Sequence, residues 1–194
     1  MTAFKLITIA QYSEQWPATF LQLRSVYETR LSGLMEGIEH VGSTSVPGLK
    51  AKPIIDIDII ASDENKLKKI TSVLEKLGYQ HLGDLGIEGR EAFKRISVSV
   101  PLDGSGREWP EHNLYVCLQG SLSLLNHIRF RDYLRSHPAQ AHAYGELKEK
   151  LASKFSEDIN GYVEGKTSFI VEILKQFGFD ADSLALIRSQ NTRV

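Results

Sequence analysis

Two aspartates stand inside a row of isoleucines, Ile54-Ile55-Asp56-Ile57-Asp58-Ile59-Ile60, and no other stretch constrains the fold as tightly. The run is β-branched and short, which predicts a buried strand opened by Pro53. A carboxylate in such surroundings is costly unless charge or donors meet it. Side chains alternate along a strand, so Asp56 and Asp58 project to one side, about 6.6–7 Å apart along the backbone. Two acids so placed form a platform for one or two divalent metals, Mg2+ or Mn2+, bridging the phosphates of a nucleotide. Thirteen positions before Asp56 comes Ser43, in the run His40-Val41-Gly42-Ser43-Thr44-Ser45-Val46-Pro47-Gly48. Glycine lets backbone N–H groups approach a phosphate, and the Ser43 hydroxyl adds a donor. Strand, Gly-Ser cradle, loop and acidic strand therefore follow one another.

Composition narrows the class. The chain has 194 residues, 42% hydrophobic and 24% charged, as expected for one globular unit with an ordinary core. A net charge of −1 argues against a nucleic-acid partner and against attraction to anionic membranes. Cys117 is the single cysteine, which excludes an internal disulfide and a cysteine-based zinc site; it sits in an apolar run and reads as a small core residue. No apolar stretch approaches the roughly 20 residues that span a bilayer. The first residues lack a signal-peptide pattern, so a cytoplasmic location is expected.

Hydrophobic periodicity gives the organisation. A short strand is expected over 5–10, then a helix over 14–31 with Trp16, Phe20, Leu23, Tyr27 and Leu31 on one stripe. Strand 37–42 enters the cradle, and 45–48 is a turn by composition. After the acidic strand, Ser62 is the expected cap of a helix that Gly78 ends. Strands follow at 91–100 and 113–118. From 121 onward only helices are expected: one stopped near Pro138, one over 139–155, one over 157–177 with a loosened junction at 158–161, and a short helix with a disordered tail after Asp180. The expected fold is α+β, a mixed sheet flanked by helices over 1–119, a C-terminal helical subdomain over 120–180 and a tail over 181–194.

Gly42-Ser43 followed by Asp56-x-Asp58 resembles the pattern of the nucleotidyltransferase superfamily, which has the fold of DNA polymerase β. A closer resemblance covers nearly the whole chain. The segments 39–49 and 51–57, Gly78-Tyr79, Gly86-Ile87, Gly89-Arg90, Phe130-Arg131-Asp132-Tyr133-Leu134-Arg135, and Tyr162 and Lys166 with Phe169-Ile170 look like the signature of the GrpB family. The resemblance implies a nucleotidyltransferase-like fold and says little of activity. Some members are fused to dephospho-coenzyme A kinase. Nucleotidyltransferases present a third carboxylate from a later strand, and the matching position here is Asn113, which carries no charge.

The candidate catalytic residues are Asp56, Asp58, Asn113 and the neighbouring His112; Asp56 and Asp58 are the candidate metal ligands. Candidates for binding the nucleotide are Gly42, Ser43, Thr44, Ser45, Lys52, Arg90, Tyr162 and Lys166. Arginine's fork suits phosphate or carboxylate. Tyr162 and Lys166 are four apart and share a helix face, where the ring can stack a base and the ammonium can meet phosphate. His40 either contacts phosphate or fixes the turn. Arg129, Arg131 and Arg135 read as a solvated or salt-bridged face. The expected function is Mg2+-dependent transfer of a nucleotidyl group from a nucleoside triphosphate to a small-molecule or protein acceptor. The alternative is an inactive nucleotide- or metabolite-binding protein of the same fold, linked to coenzyme A metabolism. Acceptor, base preference and oligomeric state are left open.

Overall fold

The computed structural model describes residues 6–191. Helix α1 (Gln15–Arg30) leads into β1 (Gly37–Val41), a single helical turn over Ser43–Ser45, and β2 (Ile55–Ala61). Helix α2 (Glu64–Lys76), β3 (Tyr79–Gly83), β4 (Arg90–Arg95) and β5 (His112–Leu118) complete the sheet layer. Four helices follow: α3 (Leu122–Ser136), α4 (Pro138–Lys154), α5 (Ile159–Lys175) and α6 (Ala181–Asn191).

The five strands lie in the order β1-β2-β5-β4-β3. Only β2 and β5 are parallel, with Asp56 opposite Asn113 and Asp58 opposite Tyr115. Pleating sends Ile55, Ile57 and Ile59 to one face, where Leu114 and Val116 join the core built with Trp16, Leu23 and Tyr27 of α1 and Ile70 and Leu74 of α2. Asp56, Asp58, Asn113 and Tyr115 occupy the other face, toward α3. A second core, with Val46, Leu49, Leu134 and Tyr144, joins the cradle loop to the helical layer.

Several local expectations are corrected. The strand expected over 5–10 does not form: Lys5 lies outside the described residues, and of the rest only Ala10 pairs, in an isolated bridge to Ala51. Strand β4 ends at Arg95 rather than at 100. Asp63, not Ser62, caps α2 by accepting the Lys66 backbone N–H at 2.9 Å. The 158–161 junction is an ordered start, where the Asp158 side chain accepts the Gly161 N–H and caps α5. Arg131 takes the salt-bridged of the two readings, and does so from inside the protein. It is buried, and its guanidinium donates to Glu39 at 2.5 Å, to Asp132 at 2.7 Å and to the His40 carbonyl at 3.1 Å.

On the core side of the sheet the Tyr79 hydroxyl is bonded both to the Tyr27 hydroxyl and to Nε2 of His112, all three residues being buried. Removing that hydroxyl strands two buried polar atoms at about 1–3 kcal/mol each. Tyr79→Phe is therefore expected to lower the urea unfolding free energy by roughly 2–6 kcal/mol while leaving the far face of the sheet intact by NMR chemical shifts.

Candidate functional site

The cradle is built by backbone geometry. Gly42 has φ of +67°, and a Cβ on it would lie 2.1 Å from Oδ2 of Asp56. Glycine is required there twice, for the left-handed backbone and for the close approach of the carboxylate. Within the turn, Thr44 donates to the Ile54 carbonyl at 3.1 Å and is bonded to Nε2 of His40 at the same distance. Ser45 donates to the Gly42 carbonyl at 2.6 Å. The Thr44 and Ser45 hydroxyls thus hold the loop itself. His40, stacked on Phe20 and buried, is pushed down to about 4 by burial, then by Arg135 and Arg131, so it braces the turn as a neutral ring. Ser43 differs: it is among the residues that line the cleft.

That cleft has two lobes meeting at Ser43, Asp56, Tyr115 and Lys166. One, of about 320 Å³, is walled by Lys52, Asn113, Lys148 and Tyr162; the other, of about 230 Å³, by Gly42, His127, Phe130 and Tyr144. Asp56 accepts a hydrogen bond from Nδ2 of Asn113 at 2.7 Å, and its carboxyl is held above the usual range chiefly by burial. Asp58 is fully buried. Its Oδ2 contacts Nδ1 of His127 at 2.7 Å, while Oδ1 has no partner. Burial alone lowers the His127 basicity, and the adjacent Asp58 carboxylate reverses this, raising it.

Three lysines converge. Lys52 and Lys166 lie 5.6 and 4.5 Å from the ring centre of buried Tyr162. Lys148, 2% exposed, donates to the Lys50 carbonyl and sits 4.8 Å from the Tyr144 ring. Burial first, and a neighbouring lysine second, lowers Lys148 to about 7 and Lys166 to about 8.

Of the residues singled out from sequence, Gly42, Ser43, Lys52, Asp56, Asn113, Tyr162 and Lys166 meet at this cleft. Arg90 stands behind it, 4.6 Å over the Tyr115 ring, with a buried Nε that finds no partner. His112 does not reach it: one residue from Asn113 along β5, it faces the opposite side, bonded to Tyr79 and to the Pro110 carbonyl. Its ring is lowered to about 4, first by burial, which suits a neutral core residue. Sequence reasoning missed His127 and Lys148. Both lie on amphipathic helices with no motif around them, and only the buried acid of β2 signalled that some partner had to arrive.

The GrpB protein family model matches residues 6–176. The chain belongs to the GrpB family. The glutamate-rich protein GrpB of Alkalihalophilus pseudofirmus is 32% identical over 171 residues, covering 88% of this chain and 95% of that one. YqkA of Bacillus subtilis is 32% identical over 164 residues, and the chain spans 45% of that longer relative. The crystal structure of the conserved protein GrpB from Enterococcus faecalis aligns with a TM-score of 0.74 at 30% identity, over 92% of this chain and 98% of that one. Cid1 poly(U) polymerase with bound MgGTP aligns with a TM-score of 0.50 at 11% identity, over 76% of this chain and 45% of its own. The GrpB chain thus has a nucleotidyltransferase-like fold.

Two substitutions probe this geometry. Gly42→Ala is expected to cost at least about 1–2 kcal/mol in urea unfolding from the left-handed backbone alone, with the Asp56 collision in addition. His127→Leu leaves a buried carboxylate uncompensated and is expected to cost about 3–5 kcal/mol by the same measurement.

Proposed function

We propose that this GrpB-family protein binds a nucleoside triphosphate in the lysine-walled cleft and transfers its nucleotidyl group to an acceptor. The observation that carries the reading is the convergence of Lys52, Lys148 and Lys166, from a loop and two helices, with Ser43 on one cavity beside Asp56. Burial first, and repulsion between neighbouring ammonium groups second, depress the basicity of Lys148 and Lys166, so the charged forms are costly in the empty cleft. A polyphosphate reverses the cost, since each ammonium then gains an anionic partner.

The donor set suits a Mg2+ or Mn2+ ion. The groups that would hold it are the cleft-lining carboxylate of Asp56 and the orphaned Oδ1 of Asp58, which is fully buried and lines neither lobe. Mg2+ ordinarily takes one or two carboxylates and fills its shell with phosphate oxygens and water. When bound, such an ion supplies charge neutralisation at the phosphates. The chain's own groups do the rest. Gly42 lets the Asp56 carboxylate close on the cradle backbone, Ser43 donates to the phosphates, and the lysines take up charge as it grows on the departing pyrophosphate. Asn113 holds Asp56 in orientation through its 2.7 Å hydrogen bond.

A binding protein without turnover is the second reading, favoured by neutral Asn113 standing where the related enzymes place a third acid. Thermal-shift titration with ATP, with and without Mg2+, tests binding, and pyrophosphate release separates enzyme from binder. Asp56→Asn with Asp58→Asn is expected to abolish the Mg2+-dependent part of the shift; an unchanged shift defeats the metal platform. Affinity for ATP is also expected to fall as pH rises from about 6 to about 9, because Lys148 and Lys166 lose protons near 7 and 8. Lys148→Met should flatten that dependence in calorimetric titrations.

A further inference from the structure

Beyond Asn113 and Tyr115, on the same face of the sheet, a groove of about 500 Å³ runs toward the β3 edge. Its walls include Leu82, Leu85, Ile96 and Val98, whose relative exposures are 39, 60, 68 and 52%. Side chains this apolar and this exposed, gathered in one concavity, mark a binding surface rather than a packed core. Asn113 and Tyr115 belong to both this groove and the lysine-walled cleft, so the two are contiguous. Whatever lies in the groove therefore ends beside Asp56.

Lys94 lies at that junction. The antiparallel ladder of β4 on β5 pairs Phe93 with Leu114 and Ala92 with Tyr115. Continued by one residue, it puts Lys94 beside Asn113. The Lys94 side chain lines the groove, with Arg95 and Glu111 also on its walls, and makes no hydrogen bond or ion pair among the described residues. A free ammonium at the mouth of an apolar groove fits an anionic head on an apolar body. The neutral Asn113 bears on the same point. A hydroxyl or ammonium acceptor must lose a proton during attack, and a carboxamide cannot take one. A carboxylate arrives already deprotonated at neutral pH.

We propose that the acceptor is an apolar carboxylic acid, its aliphatic or aromatic body in the groove and its carboxylate between Lys94 and Asn113. This rests on the nucleotide reading of the neighbouring cleft. The carboxylate oxygen forms a bond to the α-phosphorus of the triphosphate, and the bond from that phosphorus to the bridging oxygen breaks. The electron pair leaves with pyrophosphate, and no proton changes hands. The product is an acyl–nucleotidyl mixed anhydride, a substrate for a following acyl transfer to a thiol or amine.

The test is ATP–pyrophosphate exchange by the full chain with Mg2+ and a panel of hexanoate, octanoate, phenylacetate and the matching alcohols. Exchange dependent on one of the acids, and formation of its hydroxamate when hydroxylamine is added, is expected. Lys94→Gln should raise the KM for the acid about tenfold, the loss of one charge-assisted hydrogen bond, with the KM for ATP unchanged. Methyl NMR supplies a readout apart from turnover: octanoate should shift Leu82, Leu85, Ile96 and Val98 equally well with Mg-ATP present, and Ile96→Glu should abolish those shifts. Exchange with an alcohol and not an acid overturns the proposal. So does an inert acid panel when thermal shift shows that Mg-ATP binds, which leaves the nucleotide reading standing. Failure of Mg-ATP to bind overturns both.

Discussion

A carboxylate buried to zero exposure in the middle of a sheet is the constraint around which the rest is arranged. Asp58 cannot stay there bare, and the side chain that bonds its carboxylate comes from outside the sheet. Helix α3 brings one, with His127 2.7 Å away. One turn on, Arg131 reaches Glu39 and the His40 carbonyl; another turn on, Arg135 donates twice to the Ser45 carbonyl, at 3.0 and 2.9 Å. Positions 127, 131 and 135 form a polar stripe that fixes α3 along β1 and the cradle. The helices α4 and α5 then pack against α3 and deliver Lys148 and Lys166. The geometry of the cleft is downstream of one buried acid.

Much of this could be read from the residues. Alternation placed Asp56 and Asp58 on one side of β2, and the stripe from Trp16 to Leu31 gave α1 and its buried face. The family signature led to the nucleotidyltransferase-like architecture that the relatives share. What escaped was whatever depends on which helix face meets which strand. Arg131 looks solvent-facing in a sequence because arginine on an amphipathic helix usually is, and its burial becomes evident only with Glu39 and the His40 carbonyl beside it. Lys148 and His127 likewise carry no local signal. His112 erred in the other direction. Its neighbour Asn113 defined the cleft face, so the strand's period of two already sent His112 to the core with Tyr79.

The site is graded along one direction. Three ammonium groups stand at one end, then the paired Asp56 and Asn113, then a single ammonium, then bare aliphatic surface. Such an order sets a cationic end and an apolar end apart on one face of the sheet. Tyr115 is the shared wall, made rigid by the Arg90 guanidinium over its ring.

The ties of the cradle loop carry a consequence for how the cleft is walled. Its carbonyls at His40 and Ser45 are held by α3, and the chain at Lys50 is held by α4 through Lys148, Glu146 and Glu149. Loop, α3 and α4 are therefore tied to one another by side-chain hydrogen bonds. Helix α5 closes the remaining side with Tyr162, whose ring lies 5.6 Å from the Lys52 ammonium and 4.5 Å from that of Lys166. That helix is itself seated on α4, where a Cβ on Gly165 would lie 2.4 Å from Leu151 and Phe169 stacks on Tyr144, so the far wall of the cleft is set by how closely two helices pack.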